Sequence, residues 1–230
     1  CPGPILKMKK TMDSLVSGDR VEITSTDPGF PRDAAAWCNS TGNQLISKET
    51  AGGKSVVVIE KGEPKSCNIV TSCEGKGKTF IMFSDDLDKA LATFVLANGA
   101  AATGQKVTIF FTFWGLNVIK KLHKPNVEKD IFGKMFGMML PSSSRKLKLS
   151  KMSMGGIGGK MMRYIMNRKG IDSLESLRQQ ALENGVEFIA CQMSMDVMGV
   201  KQEELLDEVT IGGVATYMER ADNANINLFI

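Results

Sequence analysis

Hydrophobic and polar positions divide the 230-residue chain into two stretches of different rhythm. In the first, Ile5, Leu6, Met8, Met12 and Leu15 make an approximate helical stripe behind Pro2 and Pro4. Proline suits a first helical turn, because its missing N–H would be unpaired there. Arg20–Ser25 alternates as a strand, and Pro31–Asn39 reads as a short helix stopping near Gly42. Gln44–Thr50 and Lys54–Glu60 read as strands joined across Gly52-Gly53. Lys61–Gly77 has no sustained apolar period and is rich in Gly, Pro, Ser, Lys and Glu, which is linker composition.

From Thr79 the rhythm becomes strand, helix, strand. Strands over Thr79–Phe83 and Lys106–Phe113 flank a helix that Ser84 or Asp85 can cap and Gly104 stops. Asp172 and Glu175 make a capping-box-like start to a helix reaching Asn184, and Gly185 ends it before the apolar run Val186–Ala190. A strand over Glu208–Ile211, a helix over Val214–Ala224 and a strand over Asn227–Ile230 follow. Five strands with intervening helices predict a parallel, doubly wound α/β sheet behind a small α+β unit. The implied division is a domain over 1–62, a linker over 63–77 and a second domain over 78–230.

Residues 123–170 stand outside this alternation and read as an insertion over the active edge of the sheet. The segment holds Met135, Met138, Met139, Met152, Met154, Met161, Met162 and Met166, and methionine surfaces adapt to varied apolar partners. Met161, Met162 and Met166 equally suit a buried helical face. The net charge of +4 hides an asymmetry, because nine Lys and Arg and no acid lie between Asp130 and Asp172. The insertion is therefore a lid, a site for an anionic partner or a peripheral membrane surface. Gly155-Gly156-Ile157-Gly158-Gly159-Lys160 is misspaced for a phosphate loop, and Met161 stands where Ser or Thr would bind magnesium, so it reads as a flexible hinge.

Composition narrows the chemistry. Five irregularly spaced cysteines argue against a disulfide framework and for a reducing compartment, with the cytoplasm as the expectation. Val107–Ile119 is the most apolar run and is too short to span a bilayer. Cys67 and Cys73 fall in the linker, and the single His123 is distant, so no metal site is expected. Cys38 sits in a helix-like stretch and reads as packing. The start at Cys1, without a methionine, reads as a fragment or a processed product.

Two cysteines invite chemistry. Cys191 stops the Val186–Ala190 strand, and open α/β sheets bind ligands at the carboxyl ends of their strands. A following helical turn would favour thiolate, while a buried structural cysteine fits the same position. Cys1 precedes a proline-initiated helix, with Lys7, Lys9 and Lys10 close behind, which also favours thiolate.

Cys1-Pro2-Gly3-Pro4, the strand end Thr26-Asp27-Pro28 and Asp33-Ala34-Ala35-Ala36-Trp37 resemble the TusA family of sulfur-carrier domains. The resemblance implies a two-layer βαββαβ domain, here without its first strand, and a persulfide on Cys1. Phe83-Ser84-Asp85-Asp86-Leu87-Asp88-Lys89-Ala90, Thr112-Phe113-Trp114-Gly115-Leu116 and Cys191-Gln192-Met193-Ser194-Met195-Asp196-Val197-Met198-Gly199 resemble the DsrE/DsrF-like family, in its subgroup with a methionine-rich insertion. That resemblance implies a flavodoxin-like parallel sheet, homo-oligomers, persulfide on Cys191, and fusion to rhodanese or flavin-dependent disulfide-reductase domains.

The expected function is sulfur relay, as a carrier or sulfurtransferase, with persulfide-bearing proteins or small thiols as partners. Thiolate attack on a persulfide needs no metal, flavin or general base. Neither a cofactor nor nucleic acid is expected. Asp196 is expected to brace the loop after Cys191, because a carboxylate beside sulfur would oppose thiolate. Two other readings stay open: a redox module binding nucleotide or coenzyme A, which the acidic turn Ser84-Asp85-Asp86 disfavours, and a non-catalytic adaptor working through the basic insertion.

Overall fold

The computed structural model describes residues 3–26, 30–62, 77–123, 139–152 and 154–230, with positions 125, 127, 129, 133, 135 and 137. The chain forms two compact units, Cys1–Gly75 with Asn98–Gln105, and Lys76–Ala97 with Lys106–Ile230.

In the first unit, α1 (Gly3–Asp13), β1 (Arg20–Ser25), α2 (Phe30–Thr41), β2 (Gln44–Ala51) and β3 (Lys54–Glu60) follow one another. The sheet is antiparallel with order β1-β3-β2. Alternation in β3 sends Ser55, Val57 and Ile59 inward. Ile5, Met8 and Met12 of α1 and Phe30, Ala34, Trp37 and Cys38 of α2 close over Val57 and Ile59 in one buried cluster. The result is a two-layer unit with three strands. Because Gly52-Gly53 turns β2 directly into β3, α2 lies ahead of this hairpin, whereas a βαββαβ pattern puts the second helix after it.

The second unit carries β4 (Gly77–Met82), most of α3 (Leu87–Ala102), β5 (Val107–Phe111), α4 (Ile157–Arg168), α5 (Leu174–Glu183), β6 (Glu187–Cys191), α6 (Gln192–Met198), β7 (Thr210–Gly212), α7 (Val214–Asp222) and β8 (Ala224–Phe229). Its five-stranded sheet is parallel throughout, with order β7-β6-β5-β4-β8. The first strand of the unit thus lies between the second and the last. β4 to β7 step in one direction and β8 returns to the open side of β4. Right-handed crossovers therefore place α3 and α5 on one face of the sheet and α7 on the other.

On the α3 face, Phe94 packs 5.7 Å from Phe188 and 6.4 Å from Phe111, whose rings are 5.3 Å apart. On the other face, Tyr217 of α7 lies 5.3 Å from Phe110, and the pair clusters with Ile189 and Cys191.

The expected strand through Phe113 ends earlier, at Phe111. Phe113 takes a left-handed φ of 46°, and the chain turns into a 3₁₀ segment over Phe113–Ile119. Gly115 lies so close to the Met82 carbonyl that a Cβ would collide with it, and its N–H donates to the Phe83 oxygen at 2.8 Å. The start of α5 also differs from the expected capping box. Ser173 caps it, accepting from the Ser176 N–H at 3.1 Å, because the Glu175 carboxylate is taken by Arg163 at 2.9 Å and by the Ser144 hydroxyl at 3.0 Å.

The insertion is tied into the second unit. Leu87 N–H donates to the Lys148 carbonyl at 2.7 Å, and Ser150 N–H donates to Asp88 at 2.9 Å. The glycine run read as a hinge opens α4, and Gly158 sits against the Met152 carbonyl where no Cβ fits. Close packing, rather than flexibility, accounts for a glycine there. Of the three helical methionines, Met166 is buried, Met162 half-buried and Met161 exposed. Arg163, one of the nine cations, is neutralised by Glu175. No helix among the described residues is long and apolar enough to cross a membrane.

Candidate functional site

Three turns meet at the carboxyl end of the five-stranded sheet, and each carries one of the motifs singled out in the second domain. After β4, Ser84 Oγ donates to Asp86 at 2.7 Å and Lys89 pairs with Asp86 at 2.7 Å, so this turn is held by its own charges. After β5, Asn117 is fully buried and donates from Nδ2 to Asp85 Oδ2 at 2.9 Å, fastening the second turn to the first. Burial pushes the Asp85 carboxyl up, with a smaller push from Asp86, against the opposing Asn117 hydrogen bond. After β6, Ser194 of α6 meets Thr112 hydroxyl to hydroxyl at 2.7 Å, fastening the third turn to the second.

Cys191 is the last residue of β6 and the N-cap of α6. Its thiol makes no capping hydrogen bond. Strand alternation points it to the same face as Ile189, where it is 6% exposed in the cluster with Phe110 and Tyr217. Its neighbour across the ladder is Gly212, which presents no side chain toward it. Asp196 is bridged by Gln192 Nε2 at 3.0 Å across one helical turn, and its carbonyl accepts from Gly199, so it braces α6.

Around this cluster, the Tyr217 hydroxyl lies 3.3 Å from Thr79 Oγ1, and Thr79 also donates to Asn227. Arg220, on the same helix as Tyr217, reaches Glu187 at 2.9 Å and 3.2 Å. That hydrogen bond, assisted by Thr108, holds the Glu187 carboxyl below its ordinary range. Tyr217, Asn117 and the Thr112–Ser194 pair were not singled out from the sequence. No local signal marks Tyr217, because the order of the strands decides which face the helix between the last two of them crosses.

Of the two cysteines singled out, Cys191 joins the motif turns, and Cys1 lies outside the described residues. So do Cys67 and Cys73 of the linker. Cys38 is buried among the apolar side chains of the first unit, and burial pushes its thiol up to about 11, against a weaker backbone hydrogen bond. It behaves as packing. Among the described residues, no three His, Cys, Asp or Glu converge as metal ligands.

A parallel sheet whose strand-end turns are fastened around a cysteine defines an open α/β domain with a candidate thiol centre. Comparison with known proteins gives the family: the chain belongs to the DsrE/DsrF/DrsH-like family over residues 75–229, and residues 1–61 match the Sulfurtransferase TusA model. It is 44% identical over 155 residues to YrkE of Bacillus subtilis, spanning 67% of this chain and 97% of that protein. It is 38% identical over 161 residues to the sulfur carrier protein DsrE2 of Allochromatium vinosum, spanning 68% of this chain and 99% of the relative. Its first part is 41% identical over 61 residues to the sulfur carrier protein TusA of the same organism, spanning 26% of this chain and 80% of TusA.

Proposed function

We propose that the protein is a sulfur-relay protein that carries sulfane sulfur as a persulfide on Cys191, with Cys1 as a second carrier thiol. The observation that supports this reading most is the position of Cys191, at the strand end where the three family motifs are fastened together. Two relatives named as sulfur carriers, each matching a different part of the chain, support the same role.

The chemistry is a thiol exchange. The Cys191 thiolate attacks the outer sulfur of a donor persulfide, the donor's S–S bond breaks, a new S–S bond forms on Cys191 and the donor leaves as thiolate. Transfer onward repeats the step with the acceptor thiolate as nucleophile. No electrons are gained or lost overall, so neither flavin nor metal is needed. The donor and acceptor are persulfide-bearing proteins or small thiols, including domains of the rhodanese or disulfide-reductase kind fused to related chains. A homo-oligomer in a reducing compartment such as the cytoplasm suits this role. The turn that would cradle a nucleotide phosphate carries Asp85 and Asp86, which argues against the nucleotide-binding reading.

Because Cys191 is almost covered, loading requires a donor to displace its cover. Tyr217 is the buried residue of α7 and the partly buried Ala221 packs against the same cluster, so this helix is held over the thiol by one aromatic ring, one alanine and the half-buried Arg220–Glu187 pair. The test is intact-protein mass measurement after incubation with polysulfide, on wild type, Cys191→Ser and Cys1→Ser. The expected result is a reductant-labile gain of sulfur that each substitution reduces at its own site. Readily alkylated cysteines that take up no sulfur would sink the carrier reading.

A further inference from the structure

Helix α4 leaves an apolar face uncovered. Its inner side is formed by Gly158, Gly159 and Met166, with Arg163 reaching back to Glu175 and the Ser144 carbonyl. Its outer side presents Ile157, Met161, Tyr164 and Ile165, which successive helical turns stack into one stripe. Tyr164 is 61% and Ile157 64% exposed, and Met152 and Met154 extend the apolar surface onto the preceding segment at 69% and 68%. Solvent-facing stripes of this kind mark interaction sites.

The charge around the stripe selects the partner. Lys151, Lys160, Arg168 and Lys169 are exposed beside it, and among the described residues none of the four has an ion-pair partner. A protein–protein interface combines an apolar centre with a polar rim. Here the rim is of one sign, and the centre is made of unbranched methionine, isoleucine and a tyrosine with a polar tip. An in-plane interfacial helix has this composition: its apolar side chains enter the acyl boundary, tyrosine sits at headgroup level and cations meet anionic lipids.

We propose that α4, with Met152 and Met154 ahead of it, docks peripherally on an anionic bilayer surface. The helix has 12 residues and lies on the membrane instead of crossing it. The proposal is independent of the carrier chemistry, since none of these residues touches Cys191 or its cluster.

The test is co-sedimentation of the full chain with vesicles of phosphatidylglycerol mixed with phosphatidylcholine, and with vesicles of phosphatidylcholine alone. Binding is expected to the anionic vesicles and to fall with added salt. The double substitutions Lys160→Glu with Arg168→Glu, and Met161→Ser with Tyr164→Ser, are each expected to weaken it about tenfold or more. Both variants keep their sulfur uptake at Cys191, which shows that they are folded and separates this test from the carrier test. Absence of binding to anionic vesicles, equal binding to neutral ones, or wild-type binding by both variants overturns the proposal. In the first case, an acidic protein becomes the alternative occupant.

Discussion

The two faces of the five-stranded sheet are built to different standards. On one, Phe94 of the 16-residue α3 interlocks with Phe111 and Phe188, and Met82, Ile109 and Ala190 are fully buried beside them. On the other, the nine-residue α7 contributes Tyr217 as its buried side chain, with Val214 and Met218 left exposed. Cys191 faces the second. The comparison separates two degrees of packing: the first face is densely interlocked, and the second leaves Cys191 under a thinner cover. Regions that open easily are those with few buried apolar contacts.

The largest expected effect lies on the dense face. Phe94→Ala should cost about 3–5 kcal/mol, because it empties an aromatic site enclosed by Phe111 and Phe188. Urea unfolding measures it, and a loss below that range would mean that this face is as thin as the other. Tyr217→Ala should cost less, about 2 kcal/mol, since the short α7 can settle into the vacated site. In the native protein it should also speed alkylation of Cys191 about tenfold, and an unchanged rate would show that α7 does not control access.

Glu175 offers a sharper test by pH. Its carboxyl is held below the ordinary glutamate value of 4.5, because burial, which raises it, is outweighed by the Arg163 hydrogen bonds and charge and by Ser144. A depressed carboxyl stabilises the fold fully above the unfolded value, and that stability is lost as pH falls through the folded one. Glu175→Gln should therefore cost about 2 kcal/mol near neutrality and flatten the acid limb of the stability curve. An acid limb identical to wild type would show that the Arg163–Glu175 pair does not contribute to stability. Asp85 works in the opposite sense. Its raised carboxyl contributes stability below the unfolded value of 3.8 that is lost as pH rises through the folded value. Asp85→Asn should accordingly stabilise the protein at neutral pH by about 0.5 kcal/mol, the smallest effect, provided the Asn117 contact survives.

Much of this architecture can be read from the chain because local signals and tertiary packing agree. The run Val186–Ala190, bounded by Gly185 and followed by a helix that Gly199 closes, needs no distant information, and Cys191 falls at its end in both the sequence and the structure. Disagreement arises where a long-range contact overrides the local pattern. Thr112 and Phe113 continue an apolar run that reads as strand, yet the backbone breaks there because Gly115 tucks beneath Met82. The glycines before Lys160 suggest a hinge, since nothing local reveals that Gly158 meets the Met152 carbonyl. Arg163 counts as a free cation in the sequence because its partner, Glu175, lies beyond the insertion. Tyr217 escapes notice for a related reason. Its role depends on which face of the sheet α7 crosses, and strand order decides that.

Cys38 and Cys191 are both buried and free, and they sit in the same molecule under the same conditions. Mapping the sites of sulfur addition by peptide mass spectrometry on native protein treated with polysulfide therefore distinguishes a carrier thiol from a packed one. Reductant-labile sulfur is expected on the peptide containing Cys191 and none on the peptide containing Cys38. Sulfur on Cys38 with Cys191 unmodified would contradict it.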